Sequence, residues 1–452
     1  MVKAVNLWKG TGWPIPTVRQ AVRRLGAPGH FVRSVALLAG SAALGQAVLI
    51  LASPVLTRLY SPDDFGVLAV FTSVIYMLAG ITALRYQLGI PLPEDDETAA
   101  SLLVLCLIVV VGTSSLIAIM VWALGAQITQ WTNVPELRPY LWLLPISLFG
   151  AGVYLTFTAW GIRKGAFRQM ARTRISQGVV PTALQLALGF AHVGTPGLLF
   201  GAAAGQAAGS ETLIGLAWRR SGEAFHRVTP QRIRYVASHY RRFPLFGAPG
   251  VLLSSVGLSL PMFVLAALYN PQVVGWYALA QRVVARPLEF IVLAVAQVYL
   301  SQSAKVASSR VQDLPKMVAK VLGGMALVVV PYILVLVLVA RWLFPLVFGA
   351  EWAEAGLYAQ VLSIMLVVQM IVAPIGDTLD VLQRQDLYFV REVIRIILLA
   401  GAISIAAIFS LRPAAAVLLL SIAGALTYLI FLGIALHAIR ARLRAIEAGH
   451  AA

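Results

Sequence analysis

Long uncharged apolar stretches constrain the fold of this 452-residue chain more than any other feature of its sequence. Residues 98–135 and 243–281 contain no Asp, Glu, Lys or Arg. Each stretch exceeds the roughly 20 residues that an α-helix needs to cross the hydrocarbon core of a bilayer. Transmembrane β-barrels show short segments of alternating polarity instead, and no such segments occur in this sequence. The sequence therefore predicts an all-α integral membrane protein.

Charged residues and Pro/Gly breaks divide the chain into about twelve predicted spans. The predicted spans cover residues 34–56, 65–84, 98–124, 139–160, 175–192, 197–217, 245–268, 273–300, 318–340, 355–379, 393–411 and 414–438. Only 12% of the residues are charged, whereas soluble domains carry about 25%. This composition excludes a soluble enzyme.

The 35 Lys and Arg residues show which side of the membrane each segment faces. Most of them fall in segments that share one side when both termini lie on that side. Because cytoplasmic loops are enriched in Lys and Arg, the sequence predicts a multi-pass protein with both termini in the cytoplasm. We expect a basic N-terminal segment (1–33), an N-lobe (34–217), a cytoplasmic linker (218–242), a C-lobe (243–438) and a cytoplasmic tail (439–452).

An internal repeat relates the two predicted lobes. The residues Leu59, Tyr60, Ser61, Pro62, Gly66 and Ala69 match, at a constant spacing, Leu268, Tyr269, Asn270, Pro271, Gly275 and Ala278. A second match pairs Arg163, Phe167 and Arg174 with Arg384, Tyr388 and Arg395. Six spans separate the copies, so both lobes cross the membrane in the same direction. The sequence thus predicts two six-helix lobes related by a pseudo-two-fold axis along the membrane normal.

This architecture is typical of transporters that work by alternating access. The sequence contains no GxxxxGK[ST] loop, HExxH or CxxC motif, so we expect no enzymatic activity. The only cysteine is Cys106, and the histidines lack ligand spacing, so no metal site is expected. Nucleic acid is not an expected partner, because the positive charge is spread over many segments. Anionic lipid headgroups of the membrane are the natural partners of those segments.

Ionisable residues form a stripe on the eighth predicted span. Arg282, Arg286 and Glu289 share one helical face, and Gln297 extends it. An arginine at mid-bilayer costs about 2.5 to 3.5 kcal/mol on insertion scales, so this face should line a water-filled cavity or the seam between the lobes. Two interpretations remain open: a cavity that attracts an anionic substrate, and an internal ion pair of Glu289 with Arg286 that serves packing.

Other polar positions have weaker interpretations. Glu211, Asp377 and Asp380 are candidates for ion coupling, and they could carry a proton or a sodium ion. No cofactor is expected beyond such an ion gradient. Glycines recur at every fourth position of the sixth span, at Gly197, Gly201, Gly205 and Gly209, and this spacing predicts close packing against a neighbouring helix.

Several runs resemble a known family. The run TRLYSPDDFGVLAVFTSVIYMLAGITALRYQLGIPLPEDD and the runs RRFPLFGAPGVLLSS and YALAQRVVARPLEF are similar to polysaccharide biosynthesis proteins. These are the Wzx-like flippases of the multidrug/oligosaccharidyl-lipid/polysaccharide exporter (MOP) superfamily. The resemblance implies a MATE-like fold and a place in the bacterial inner membrane.

The same resemblance implies a function and partners. It points to transfer of undecaprenyl-diphosphate-linked oligosaccharides to the periplasmic leaflet for O-antigen, capsule or exopolysaccharide. A polysaccharide polymerase and a chain-length regulator would be partners. Basic residues on the cytoplasmic side are candidates for loading the lipid diphosphate, namely Arg85, Arg163, Arg174, Arg384 and Arg395. The alternative interpretation is that positive-inside topology alone accounts for them. The alternative is a cation-coupled multidrug exporter of the same superfamily, which would need buried acids where this sequence offers buried arginines.

Overall fold

The protein is built from α-helices. The computed structural model describes residues 28–309, 311–382 and 384–450, and these contain no β-strand. The helices are α1 (Pro28–Leu59), α2 (Pro62–Ala79), α3 (Asp96–Thr132), α4 (Leu143–Arg163), α5 (Phe167–Phe190), α6 (Thr195–Ala207), α7 (Ser210–His226), α8 (Pro230–His239), α9 (Ala248–Leu268), α10 (Pro271–Ser309), α11 (Leu314–Phe348), α12 (Ala353–Val372), α13 (Gln385–Ile408) and α14 (Pro413–His450). Short helical turns lie at Tyr86–Gly89, Pro135–Tyr140, Phe243–Gly247 and Thr378–Val381.

All twelve predicted spans fall on helices, which confirms the predicted fold class. Nine helices of the described residues are long and apolar enough to cross a membrane. The three remaining predicted spans correspond to α5, to α6 with α7, and to α13. The helices α5 and α13 are long enough but too polar to be counted with these nine. Arg174 and Gln177 lie within α5, and Arg391 and Glu392 lie within α13. The helix α6 is simply too short.

The prediction of one continuous span over 197–217 is wrong. The helix breaks at Ala208 and Gly209, where Gly209 has the left-handed φ of +82°. A Cβ atom at Gly209 would lie 2.7 Å from the Cβ of Thr173 on α5, so only glycine permits this approach. The regularly spaced glycines of α6 pack closely against a neighbouring helix, as expected. Gly201 lies against Gln185 of α5, and Gly205 lies against Pro181 of α5.

The helices form two lobes that share one hydrophobic cluster, and each lobe also has a cluster of its own. One hydrophobic cluster draws on both lobes, and it includes Leu56, Phe71, Leu265, Val274 and Leu362. Among the described residues, a second cluster lies within the N-lobe around Trp160, and a third lies within the C-lobe around Phe431. We call the end where α1 meets α2 and α9 meets α10 the closed end, and the opposite end the open end. The lobes therefore share a core at the closed end. Toward the open end they still meet where α2 approaches α9, since a Cβ on Gly80 would lie 2.8 Å from the Val251 Cγ1.

The closed end is built from the repeat-related starts of α2 and α10. Ser61 caps α2, since its Oγ accepts a hydrogen bond from the Asp64 N–H at 3.2 Å. Its counterpart Asn270 caps α10 and accepts from the Val273 N–H at 3.0 Å. The two helices then cross so tightly that a Cβ on Gly66 would overlap the Pro271 carbonyl, and a Cβ on Gly275 would overlap the Pro62 carbonyl. Reciprocal contacts of this kind are expected where a two-fold axis passes between repeated elements.

Other contacts hold the closed end together across the lobes. The Trp352 indole N–H donates to the Thr57 carbonyl at 3.1 Å, and its ring meets Phe65 edge-on at 4.9 Å. The Asn133 amide donates to the Tyr269 carbonyl at 2.7 Å. Trp352 is fully buried. Its large apolar side chain therefore stabilises the contact between the lobes at the closed end.

Replacing Trp352 by alanine should destabilise the protein strongly. Removal of a buried Trp side chain typically costs about 3 to 5 kcal/mol, because a cavity remains and the indole hydrogen bond is lost. The matched control is Trp342→Ala, since Trp342 is 67% exposed. We expect the midpoint of thermal unfolding of the purified protein to fall clearly for Trp352→Ala and little for Trp342→Ala. Equal shifts would contradict the proposed fastening role.

The predicted linker over 218–242 is helical and lies on the N-lobe. It contains the end of α7 and all of α8, and Val236 of α8 is buried in the N-lobe core. Glu97 at the start of α3 accepts a hydrogen bond from Arg227 at 2.7 Å and a second one from Arg232. The connection is therefore held on the N-lobe by the burial of Val236 and by the ion pairs of Glu97.

Candidate functional site

The predicted ion pair on α10 is present at the surface of a cavity. Arg286 donates to Glu289 at 2.9 Å, and their side chains are 42% and 43% exposed. The residues lie one turn apart, so a single helix positions both groups. Ion pairs this exposed contribute little to stability, about 0 to 1 kcal/mol in water. Packing alone therefore gives only a weak reason for two charges at this place.

The cavity lies between the two lobes. It has a volume of about 240 Å³ and is enclosed by α1 and α5 of the N-lobe and by α10 of the C-lobe. Its polar lining consists of Gln46, Arg174, Gln177, Arg286 and Glu289. The two arginines come from opposite lobes and outnumber the single carboxylate, which Arg286 already holds. The lining therefore favours an anionic group.

Arg174 differs in its pairing from three of the other predicted loading residues, namely Arg163, Arg384 and Arg395. Within the described part of the chain it has no ion-pair partner. By contrast, Arg163 pairs with Asp96 at 3.0 Å, Arg384 with Asp386 at 2.7 Å and Arg395 with Glu392 at 2.6 Å. The structure thus brings only Arg174 of these four into the cavity.

The repeat makes the comparison of Arg174 with Arg395 informative. These residues occupy equivalent positions on α5 and α13, yet only α13 carries an acid nearby. Glu392 is buried between Arg391 and Arg395, at 2.5 Å and 2.6 Å. The N-lobe residue equivalent to Glu392 is Ala171. Arg395 is therefore held in an ion pair within the C-lobe, whereas Arg174 keeps its charge available to the cavity.

Arg282 lies one turn closer to the closed end than Arg286. Its guanidinium stands 5.5 Å from the Phe65 ring, and its Nη1 is buried with no hydrogen-bond partner among the described residues. A cation over an aromatic face is stabilised by the ring quadrupole. Arg282 is not part of the cavity lining. Arg282 therefore adds a positive charge on the side of the cavity that lies toward the closed end.

Gln297 and Arg85 lie away from the cavity. Gln297 is exposed on α10, two turns beyond Glu289. Arg85 follows α2 with a left-handed φ of +66°, and its Nε is buried without a partner among the described residues. Burial lowers the pKa of Arg85 below its ordinary value. The turn that contains Arg85 packs near Gly247, where the C-lobe begins.

The candidate coupling acids do not converge on one point. Glu211 is exposed at the start of α7, and Asp380 is exposed in the helical turn between α12 and α13. Asp377, in the same turn, is half-buried. Over the residues that the structure describes, no group of three His, Cys, Asp or Glu residues is placed to hold a metal ion.

Sequence reasoning missed two residues of the cavity, Gln46 and Gln177. The Gln46 Oε1 is buried and accepts no hydrogen bond within the described ranges. A buried acceptor without a donor is unfavourable unless a ligand or water supplies one. The available signal was the isolated glutamine in the otherwise apolar run of α1. Together with Gln177, it offers amide groups suited to hydroxyls beside an anion.

Comparisons with known proteins give one family match. A family model described as "Polysaccharide biosynthesis protein" matches residues 55–357. No curated protein matches the sequence significantly.

Similar solved structures cover nearly the whole chain. The inward-facing conformation of a multidrug resistance MATE family transporter of the MOP superfamily has a TM-score of 0.69 and 14% identity, over 88% of this chain and 95% of that chain. The outward-facing conformation of such a transporter has a TM-score of 0.55 and 14% identity, over 92% and 97%. The lipid II flippase MurJ, in an inward closed conformation, has a TM-score of 0.58 and 14% identity, over 90% and 91%. At such low identity these similarities establish only that the chain shares its fold with these proteins.

Proposed function

Because the chain belongs to the family of polysaccharide biosynthesis proteins, we propose that it is a flippase for undecaprenyl-diphosphate-linked oligosaccharides. The cargo would cross the bacterial inner membrane by alternating access, for the assembly of a surface polysaccharide. A polysaccharide polymerase and a chain-length regulator would then act on the delivered units.

The observation that carries the proposal is the cavity between the lobes, where unpaired Arg174 faces the Arg286–Glu289 pair. A diphosphate and sugar hydroxyls lose their hydrogen bonds to water in hydrocarbon, at a cost of several kcal/mol for each uncompensated group. Two guanidinium groups and the amides of Gln46 and Gln177 replace that water. The polyprenyl chain has no such requirement and can remain in the bilayer.

We infer that the open end faces the cytoplasm. The basic residues Arg227, Arg232 and Arg384 lie in connections at this end, and cytoplasmic connections are enriched in such residues. Lipid-linked units are assembled on that side, so the conformation would be the one that accepts cargo. Separation at the closed end would then release it to the periplasm.

Coupling to a proton or sodium gradient remains part of the proposal. Among Glu211, Asp377 and Asp380, the half-buried Asp377 is the best candidate, because a partly desolvated carboxylate near other charges changes its protonation most readily.

The multidrug alternative is less well supported by the cavity. Its lining carries two arginines and one carboxylate, so it favours an anion over a cation. A cationic drug would also need a free acid, but the only carboxylate in the lining is already paired with Arg286.

Reconstitution separates the two functions. Purified protein in vesicles that contain a fluorescent undecaprenyl-diphosphate oligosaccharide should expose the label to a membrane-impermeant quencher from both leaflets. Protein-free vesicles should protect about half of the label, because unassisted flipping of so polar a group is slow. Movement of ethidium without movement of the lipid-linked sugar would overturn the proposal and favour the multidrug exporter.

A further inference from the structure

A second cavity lies on the other side of α1 and α5. It measures about 550 Å³ and is lined on α1 by Leu37, Ser41 and Leu44, and on α5 by Arg168, Arg172 and Ile175. The α1 positions are three or four residues apart, as are those on α5, so each helix contributes a single face. We call this space the outer groove. Neighbouring residues on the same helices, such as Gln46 and Arg174, line the cavity between the lobes instead.

The two helices form a fork that connects these spaces. They touch at Gly45 and Gly178, where a Cβ on Gly45 would lie 2.7 Å from the Arg174 carbonyl oxygen. Farther toward the closed end they remain in contact, since Gly189 packs against Tyr60. Toward the open end both helices line the outer groove, and a Cβ on Gly40 of α1 would meet nothing within 4 Å there.

The outer groove combines apolar walls with unneutralised positive charge. Arg168 and Arg172 are exposed, and neither has an ion-pair partner among the described residues. The nearby Arg163 and Lys164, by contrast, both form ion pairs with Asp96. Free arginines beside an apolar groove match an amphiphile with an anionic head and a hydrocarbon chain.

We propose that the fork between α1 and α5 is the lateral entrance for the lipid-linked cargo. The polyprenyl chain occupies the outer groove against Leu37, Leu44 and Ile175. Its diphosphate is held first by Arg168 and Arg172, and then passes around the open end of the fork to Arg174 and Arg286. The inference rests on the proposed function, because it takes the cargo to be a lipid-linked diphosphate.

Site-specific photocrosslinking of the full-length protein in lipid nanodiscs tests the entrance. A benzophenone amino acid is placed at Leu44, in the outer groove, or at Leu51 as the matched control. Both side chains are well exposed, at 60% and 77%, and both lie on the same face of α1. Leu51 lies beyond the Gly45–Gly178 contact, where the fork is closed. The probe is radiolabelled undecaprenyl diphosphate.

We expect labelling at Leu44 to exceed labelling at Leu51 about tenfold or more, and the double variant Arg168→Gln/Arg172→Gln to remove most of this excess. The double variant Arg168→Lys/Arg172→Lys should retain it, which also controls for folding. Equal labelling at the two positions, or labelling that is indifferent to both arginines, would overturn the entrance. Labelling at Leu44 that excess phosphatidylglycerol removes would also overturn it, since the groove would then hold bulk anionic lipid.

The reconstituted flipping assay distinguishes failure of this inference from failure of the proposed function. If the wild-type protein flips the lipid-linked sugar but Leu44 is not labelled in preference to Leu51, the proposed function stands and the entrance lies elsewhere. Selective labelling at Leu44 without any flipping would support a lipid diphosphate site in the outer groove and would contradict the flippase function.

Discussion

Charge reversal at Arg286 will abolish transport while the protein remains folded and inserted. In the Arg286→Glu variant the cavity loses one cation and gains a second carboxylate, one turn from Glu289. The resulting change of two charges should reduce flipping of a lipid diphosphate at least about 100-fold, which corresponds to about 2.7 kcal/mol. The measurement is the initial rate of quencher exposure in reconstituted vesicles, at matched protein density and thermal stability.

Neutral variants separate a substrate site from a packing pair. If Arg286 acts on the cargo, Arg286→Gln should lose transport, whereas Glu289→Gln should keep it because the arginine is then freed from its partner. If the pair serves only packing, the two variants should lose stability and transport to the same extent. Normal transport by Arg286→Glu would remove this residue from the cargo site altogether.

Alanine at Gly66 and Gly275 will force the closed end open. Each added Cβ would overlap a carbonyl oxygen of the opposite lobe, from Pro271 and Pro62 respectively. Backbone atoms cannot yield as a flexible side chain does, so the helix starts must separate. A conformational preference of about 1.4 kcal/mol changes a population tenfold, and two overlaps of this kind should exceed that. We therefore expect the double variant to populate the conformation in which the closed end has opened.

Cysteine accessibility measures this shift. In a Cys106→Ser background, a cysteine introduced at Gln46 should react with an impermeant thiol reagent mainly from the open end in the otherwise unchanged protein. In the double alanine variant, its reactivity from the closed end should rise about tenfold. The matched control is Gly324→Ala, because a Cβ there meets nothing within 4 Å. Reactivity equal to that of the control would show that the Gly–Pro crossing is not the gate.

The sequence alone was sufficient for the fold class. Uncharged runs longer than a bilayer predicted the helices, because backbone polar groups in hydrocarbon must be satisfied within the helix itself. The repeat of Pro62 and Gly66 at Pro271 and Gly275 predicted two equivalent lobes. Helical periodicity placed Arg286 and Glu289 on one face, since residues three apart on a helix are neighbours whatever surrounds them.

The composition of the site was decided only by tertiary structure. Arg163, Arg174, Arg384 and Arg395 look alike in sequence, yet Asp96 forms an ion pair with the first from 67 residues away, and only Arg174 enters the cavity. The break at Gly209 likewise depends on the approach of Thr173 from another helix. The physical reason is that periodicity fixes which residues share a face of one helix, whereas packing between helices fixes what that face meets.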